Sequence, residues 1–121
     1  MKIRIKGNSV RFRLTQSEVK ALSENGEIYD HTNFGKSEFK YGVVLTDGIP
    51  NLETSFKDNC IILKMPSALG KKWYNNEIVT YDHTVATSNG ETLYLLLEKD
   101  FTCLDNTLED QSDNYPNPKL T

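Results

Sequence analysis

The first fourteen residues alternate apolar and polar side chains with a period of two, and this pattern constrains the fold more than any other stretch. The alternation runs through residues 2–6, is interrupted by Gly7-Asn8, and resumes through residues 9–14. Alternation of this kind is typical of half-buried β-strands. A Gly-Asn pair suits a two-residue type II′ turn, because glycine accepts the positive φ that its first position requires. The stretch therefore predicts a β-hairpin.

This turn also predicts the register of the hairpin. The expected cross-strand pairs are Ile5 with Val10, Ile3 with Phe12, Arg4 with Arg11, and Lys2 with Arg13. A slip of one residue would place the apolar side chains in water, so the pattern favours this register alone. One face of the hairpin then carries Lys2, Arg4, Arg11 and Arg13, with Lys6 at its edge, and we call it the basic hairpin face. Like charges directly opposite one another destabilise a sheet, so we expect an anion close to this face.

That anion can come from the protein itself or from a ligand. Residues 1–15 carry five basic groups and no acidic one, whereas residues 98–121 carry six acidic groups and two lysines. Arginine also suits phosphate, which it can bind through two parallel hydrogen bonds. The leading hypothesis is a non-enzymatic cytoplasmic protein that docks its own acidic tail, a small phosphorylated anion or an acidic protein. The net charge of −3 argues against nucleic acid, and Phe12 points to the apolar side, where it offers no stacking platform.

The rest of the chain predicts short strands and two short helices. Thr15-Gln16-Ser17-Glu18 is a capping-box signature, and the helix that it starts should end at Asn25-Gly26. Pro66-Ser67 opens a second helix, which ends at Asn75-Asn76. The other strand patterns cover residues 27–31, 38–45, 52–56, 60–65, 77–86 and 92–101. The order strand, strand, helix, strand, strand therefore occurs twice.

This order predicts the fold class α+β, with a curved, mostly antiparallel sheet of about eight strands that can roll into a barrel or tunnel, and two short helices. At 121 residues the chain is long enough for one domain, which we assign to residues 1–104. Residues 105–121 form an acidic, proline-containing tail. The tail is either mobile or a strap held down by Leu104, Leu108 and Tyr115.

Candidate catalytic and metal-binding residues are few. His31, His83, Cys60 and Cys103 show none of the spacings typical of a zinc site or an activated nucleophile. We therefore predict no catalytic residue, no metal site and no cofactor. Two cysteines without local pairing suit a reducing compartment, and no apolar run is long enough for a signal peptide or a membrane span. These features favour a cytoplasmic location.

Both ends of the chain resemble a family of small, uncharacterised bacterial proteins. The resemblance lies in the opening KIRIKGNSVR with LTQSEV, and in the ending EKDF with Cys103-Leu104, Glu109-Asp110 and YPNP. It covers essentially the whole chain and implies a domain of unknown function, without an activity, a cofactor or site residues. It also implies that the tail belongs to the domain.

The order of elements is similar to that of the antiparallel tunnel folds of triphosphate-hydrolysing enzymes, whose lumens carry inward lysines and arginines. This similarity supplies the alternative function, a phosphate- or triphosphate-binding tunnel protein that would use the basic hairpin face as clamps and could be a hydrolase. Those enzymes hold a metal through alternating glutamates on the first strand, where this chain has Lys2, Arg4 and Lys6. A likeness of fold does not fix function, and enzyme activity stays open but is not favoured.

Overall fold

A computed structural model describes residues 1–101 and 112–116. Cys103 and most of the predicted acidic tail lie outside the described residues, so the domain boundary at residue 104 stays a prediction. The elements in chain order are β1 (Lys2–Ile5), β2 (Ser9–Leu14), α1 (Gln16–Asn25), β3 (Glu27–Asn33), β4 (Glu38–Thr46), β5 (Glu53–Lys57), β6 (Cys60–Pro66), α2 (Ser67–Trp73), β7 (Thr80–Ala86) and β8 (Thr92–Lys99).

The strands form two four-stranded sheets. Sheet A has the order β1-β2-β8-β7, and sheet B has the order β3-β4-β6-β5. The central pairs, β2 with β8 and β4 with β6, are parallel, whereas the outer pairs are antiparallel. The predicted α+β class, with eight strands and two short helices, is confirmed. The prediction of one curved sheet rolled into a barrel or tunnel was wrong, because the described strands make two separate mixed sheets and no closed barrel.

The N-terminal hairpin has the predicted register. Lys2 pairs with Arg13, Ile3 with Phe12, Arg4 with Arg11, and Ile5 with Val10. Gly7 has a φ of 54°, and the Lys6 N–H donates to the Ser9 carbonyl at 3.2 Å across the turn. The turn chemistry and the alternation of side chains therefore determine this part of the fold locally.

The first helix also begins and ends where the sequence predicts. The Glu18 carboxylate accepts a hydrogen bond from the Thr15 N–H at 2.9 Å, which completes the capping box. Gly26 ends the helix in the left-handed region, at a φ of 82°. Within the described part of the chain, neither helix is long and apolar enough to cross a membrane. The cytoplasmic location stays a prediction.

One hydrophobic core joins both sheets and both helices. Its fully buried side chains are Phe12, Leu14, Leu95 and Leu97 of sheet A, Val43, Leu63 and Met65 of sheet B, and Val19, Leu22 and Trp73 of the helices. The rings of Phe12 and Tyr41 lie 6.4 Å apart between centroids and connect the two sheets. The outer face of sheet A, which carries the arginines of β2, is therefore turned away from this core.

Gly42 allows the edge strand β3 to lie close to β4. Gly42 pairs with Tyr29, and a Cβ atom on Gly42 would lie 2.3 Å from Tyr29 Cδ1 and 2.7 Å from the Ile28 carbonyl oxygen. We therefore expect Gly42→Ala to lower the free energy of unfolding by about 1–3 kcal/mol, as other overpacking changes do. Urea denaturation measures this loss, and Ser55→Ala on the same sheet is the control. Equal midpoints for Gly42→Ala and the wild type would contradict the expected clash.

Residues 112–116 return to the domain between β8 and α1. The Tyr115 N–H donates to the Asp100 carbonyl at 2.8 Å, and Phe101 and Tyr115 form a parallel β-bridge. The Gln16 N–H donates to the Asp113 carbonyl at 3.0 Å, and the Ser17 hydroxyl donates to Asp113 Oδ2 at 2.5 Å. This short segment therefore contacts both the end of sheet A and the first turn of α1.

Asp113 should make the stability of the protein depend on pH in acid. Hydrogen bonds from Ser17 and Thr15 lower the pKa of Asp113 in the folded state. A lowered folded-state pKa stabilises the fold above the unfolded-state pKa, and this contribution is lost as the pH falls through the folded-state value. We expect Asp113→Asn to destabilise the protein near pH 6, and the difference to shrink towards pH 2.5. Thermal unfolding across this range measures it, with the exposed Asp47→Asn as the control, and a difference that is constant with pH would contradict the assignment.

Candidate anion-binding site

The basic hairpin face lies on the outer side of sheet A, at its β1 edge. In β2 the core residues alternate with Arg11 and Arg13, which are half-buried on the opposite face. The register of the hairpin places Arg4 beside Arg11 and Lys2 beside Arg13. These four side chains, together with Ile3, line a hollow of about 260 Å³. Lys6 is exposed beyond the end of β1 and does not line the hollow.

Two carboxylates of the protein neutralise one side of this hollow. The Lys2 ammonium lies 3.3 Å from Asp100 Oδ2, and the Asp100 side chain is only 7% exposed. Arg13 Nε donates to Glu98 Oε1 at 2.5 Å, because the parallel pairing of β2 with β8 places these two residues side by side. The protein's own carboxylates therefore supply the anion for Lys2 and Arg13.

Arg4 and Arg11 have no carboxylate partner within residues 1–101 and 112–116. On β8, the residue that pairs with Arg11 is the apolar Leu96. Asp82 is the carboxylate of β7 that pairs with Leu96, but it accepts a hydrogen bond from the Tyr94 hydroxyl at 2.7 Å. That hydrogen bond is the main reason why the pKa of Tyr94 is raised. Two guanidinium groups therefore face each other across the hairpin without a carboxylate partner among the described residues.

A second cation site, which the sequence interpretation missed, lies on the inner face of sheet A at Lys99. This lysine is 5% exposed, and its ammonium donates to the Asn76 carbonyl at 2.7 Å. It lies 5.8 Å from the centroid of the Trp73 ring and 5.0 Å from that of Tyr115. Burial lowers the pKa of Lys99, and the negative charge of Glu77 opposes this shift. The sequence signal was available, since Lys99 continues the inward stripe that Leu95 and Leu97 begin.

A family model matches residues 1–119, and its description is a family of unknown function, DUF7009. The chain belongs to this family. The resemblance to a domain of unknown function is thereby confirmed, whereas a bacterial origin stays a prediction. No curated protein and no solved structure matches this DUF7009 chain. The chemistry of the domain must therefore be inferred from its own geometry.

Both cation sites of this DUF7009 domain are suited to binding. Guanidinium groups present several N–H donors in a fixed plane and match the oxygens of phosphate or carboxylate. A buried ammonium beside aromatic rings offers a single positive charge in an apolar setting. The first site lies on an open sheet face and the second lies in a cavity, so the two sites suit different anions.

Proposed function

We propose that this domain is a binding module that docks a small phosphorylated ligand in the hollow of the basic hairpin face. The observation that carries the proposal is the Arg4–Arg11 pair, which lines this hollow without a carboxylate partner in the described part of the chain, whereas its neighbours Lys2 and Arg13 are already paired. Directly opposed like charges cost about 0.2–1 kcal/mol. An anion held between the two guanidinium groups removes this repulsion.

The internal ion pairs support the proposal, because they separate two neutralised cations from two others. Lys2 pairs with the buried Asp100 and Arg13 with the half-buried Glu98. Arg4 and Arg11 are left to contact the ligand. A phosphate monoester carries close to two negative charges at neutral pH and three acceptor oxygens, which matches two guanidinium groups. This division of roles favours a small phosphorylated ligand over an extended acidic polypeptide.

The proposal is for binding without turnover. The hollow is lined by four cations and one isoleucine, so none of its five lining residues is a carboxylate or a histidine that could act as a base. The alternative of a triphosphate-binding tunnel requires inward-facing cations inside a closed lumen. The cations here lie on the outer face of an open sheet, so we do not pursue that alternative.

Titration of the full chain with inorganic phosphate and tripolyphosphate tests the proposal by calorimetry at low and moderate salt. We expect binding that weakens as salt rises, because the site is exposed to solvent. The double variant Arg4→Gln, Arg11→Gln should bind tripolyphosphate at least about tenfold more weakly, because hydrogen bonds to charged groups each contribute about 1.5–3 kcal/mol.

The matched control is Lys20→Gln, Lys36→Gln, which removes the same charge from exposed positions on α1 and the β3–β4 turn. This control should bind as the wild type does. Equal weakening in both double variants would mean that only net charge matters, and the proposed site would be wrong. A peptide copying residues 104–113 is the second probe. Binding of this peptide without any response to phosphate would replace the phosphorylated ligand with an acidic polypeptide.

A further inference from the structure

Lys99 lines a cavity of about 490 Å³. The cavity is formed by the end of sheet A, the loop after α2, and Tyr115 with Pro116. We call this space the Lys99 cavity. Its volume is within the range of about 300–1,000 Å³ that is typical of small-molecule sites. Its lining combines Lys99, Asn76 and Glu77 with apolar and aromatic residues. The cavity is therefore of the right size and composition to hold a small amphipathic molecule.

Among residues 1–101 and 112–116, the Lys99 ammonium has fewer partners than a buried cation needs. An ammonium group has three N–H donors, and one of them reaches the Asn76 carbonyl. The faces of Trp73 and Tyr115 supply further attraction. No carboxylate among the described residues lies within ion-pair distance. A buried charge is costly unless it is paired and hydrogen-bonded. The part of the chain that the structure describes therefore leaves Lys99 without a counter-ion.

The apolar part of the cavity lining indicates what kind of anion fits. It is formed by Val79, Phe101 and Pro116. A phosphate group needs several donors, which these apolar residues do not supply. A carboxylate carries one negative charge, which matches one ammonium, and it can be attached to an apolar body.

We propose that the Lys99 cavity binds a small organic carboxylate, with its carboxylate on Lys99 Nζ and its apolar body against Val79, Phe101 and Pro116. This site is separate from the basic hairpin face, since it lies on the inner side of sheet A and uses none of the arginines. Burial lowers the pKa of Lys99, and a bound carboxylate would counteract this effect by favouring the charged amine.

Hexanoate is a suitable probe, and hexanamide is its uncharged analogue of nearly the same shape. Trp73 is the only tryptophan of the chain, and its ring lies beside Lys99, so tryptophan fluorescence and calorimetry can both follow the titration of the full chain. We expect hexanoate to bind and to change the emission. Hexanamide should bind at least about tenfold more weakly, which corresponds to about 1.4 kcal/mol.

Three variants make the test specific. Lys99→Met keeps the length of the side chain but removes the charge, and should weaken hexanoate binding at least about tenfold. Lys72→Met, on the exposed face of α2, is the matched control and should change nothing. Glu77→Gln should tighten binding severalfold, because it removes a like charge from the wall of the cavity. Because Glu77 is exposed, this variant should stay folded even if Lys99→Met does not.

The proposal would be overturned if the wild type did not bind hexanoate, if it bound hexanamide equally well, or if Glu77→Gln had no effect on the affinity. The double variant Arg4→Gln, Arg11→Gln should bind hexanoate with unchanged affinity. A loss of hexanoate binding in that variant would place the ligand on the basic hairpin face and would contradict the assignment to the Lys99 cavity. The two proposed sites can therefore fail separately.

Discussion

Phe12→Ala is expected to lower the free energy of unfolding by about 3–5 kcal/mol, the loss typical of a phenylalanine truncated in a packed core. Phe12 is fully buried, and its ring contacts that of Tyr41 in the other sheet at 6.4 Å between centroids. The truncation therefore removes apolar burial and leaves a void where the two sheets meet. Urea denaturation followed by circular dichroism measures the loss.

Ile5→Ala is the matched control for this truncation, because it shortens an apolar residue of the same hairpin that is 57% exposed. The cost should stay below about 1 kcal/mol, as for most exposed positions. Similar losses for Phe12→Ala and Ile5→Ala would mean that the core does not lie on the side of the hairpin that we describe. In that case the basic hairpin face would also be misplaced.

Trp73→Ala is expected to cost about 3–5 kcal/mol as well, and Trp73→Phe should cost clearly less. Trp73 is fully buried, its ring meets that of Tyr81 edge-on at 5.6 Å, and its indole N–H donates to the Ile78 carbonyl at 2.7 Å. Phenylalanine keeps most of the apolar contact but loses this hydrogen bond, which contributes about 0.5–1.5 kcal/mol. Circular dichroism must follow unfolding, since both variants lack the only tryptophan.

The neighbouring residue provides the control for this pair of variants. Tyr74→Ala removes a ring that is 40% exposed, and we expect a smaller effect than for Trp73→Ala. Equal losses for Trp73→Phe and Trp73→Ala would show that the hydrogen bond to Ile78, and not the packing of the ring, holds the end of α2 in place.

The sequence predicts the local parts of this fold well, because their signals lie within a few residues. Gly7 and the alternation around it determine the register of the hairpin, and Thr15 with Glu18 marks the start of α1. The parallel pairs leave no such signal. Arg13 and Glu98 are 85 positions apart along the chain and no turn links them, so alternation alone could not show that β2 lies beside β8. The expectation of one rolled sheet arose because the sequence carries no signal for the parallel pairs.

The position of β8 beside β2, which the sequence does not predict, also limits what can be inferred about the candidate site. Alternation identified all five basic residues, but only the position of β8 separates the paired Lys2 and Arg13 from Arg4 and Arg11. At Lys99 the pattern was visible, since a lysine follows an inward stripe of leucines. Its meaning depends on the rings of Trp73 and Tyr115, which lie near the Lys99 ammonium but come from other parts of the chain.

The strand order also has a consequence for folding during synthesis. The four strands of sheet B lie within residues 27–66, whereas sheet A joins the β1–β2 hairpin to the β7–β8 hairpin. At a synthesis rate of about 5–20 residues per second, β8 is made roughly 4–17 seconds after the β1–β2 hairpin. In the folded sheet β8 covers one edge of β2, so a β1–β2 hairpin formed before β8 would have that edge unpaired. Charged side chains commonly protect such edges against pairing with other chains. The cations of the basic hairpin face would then repel the same hairpin of another nascent chain, before the face contacts any ligand.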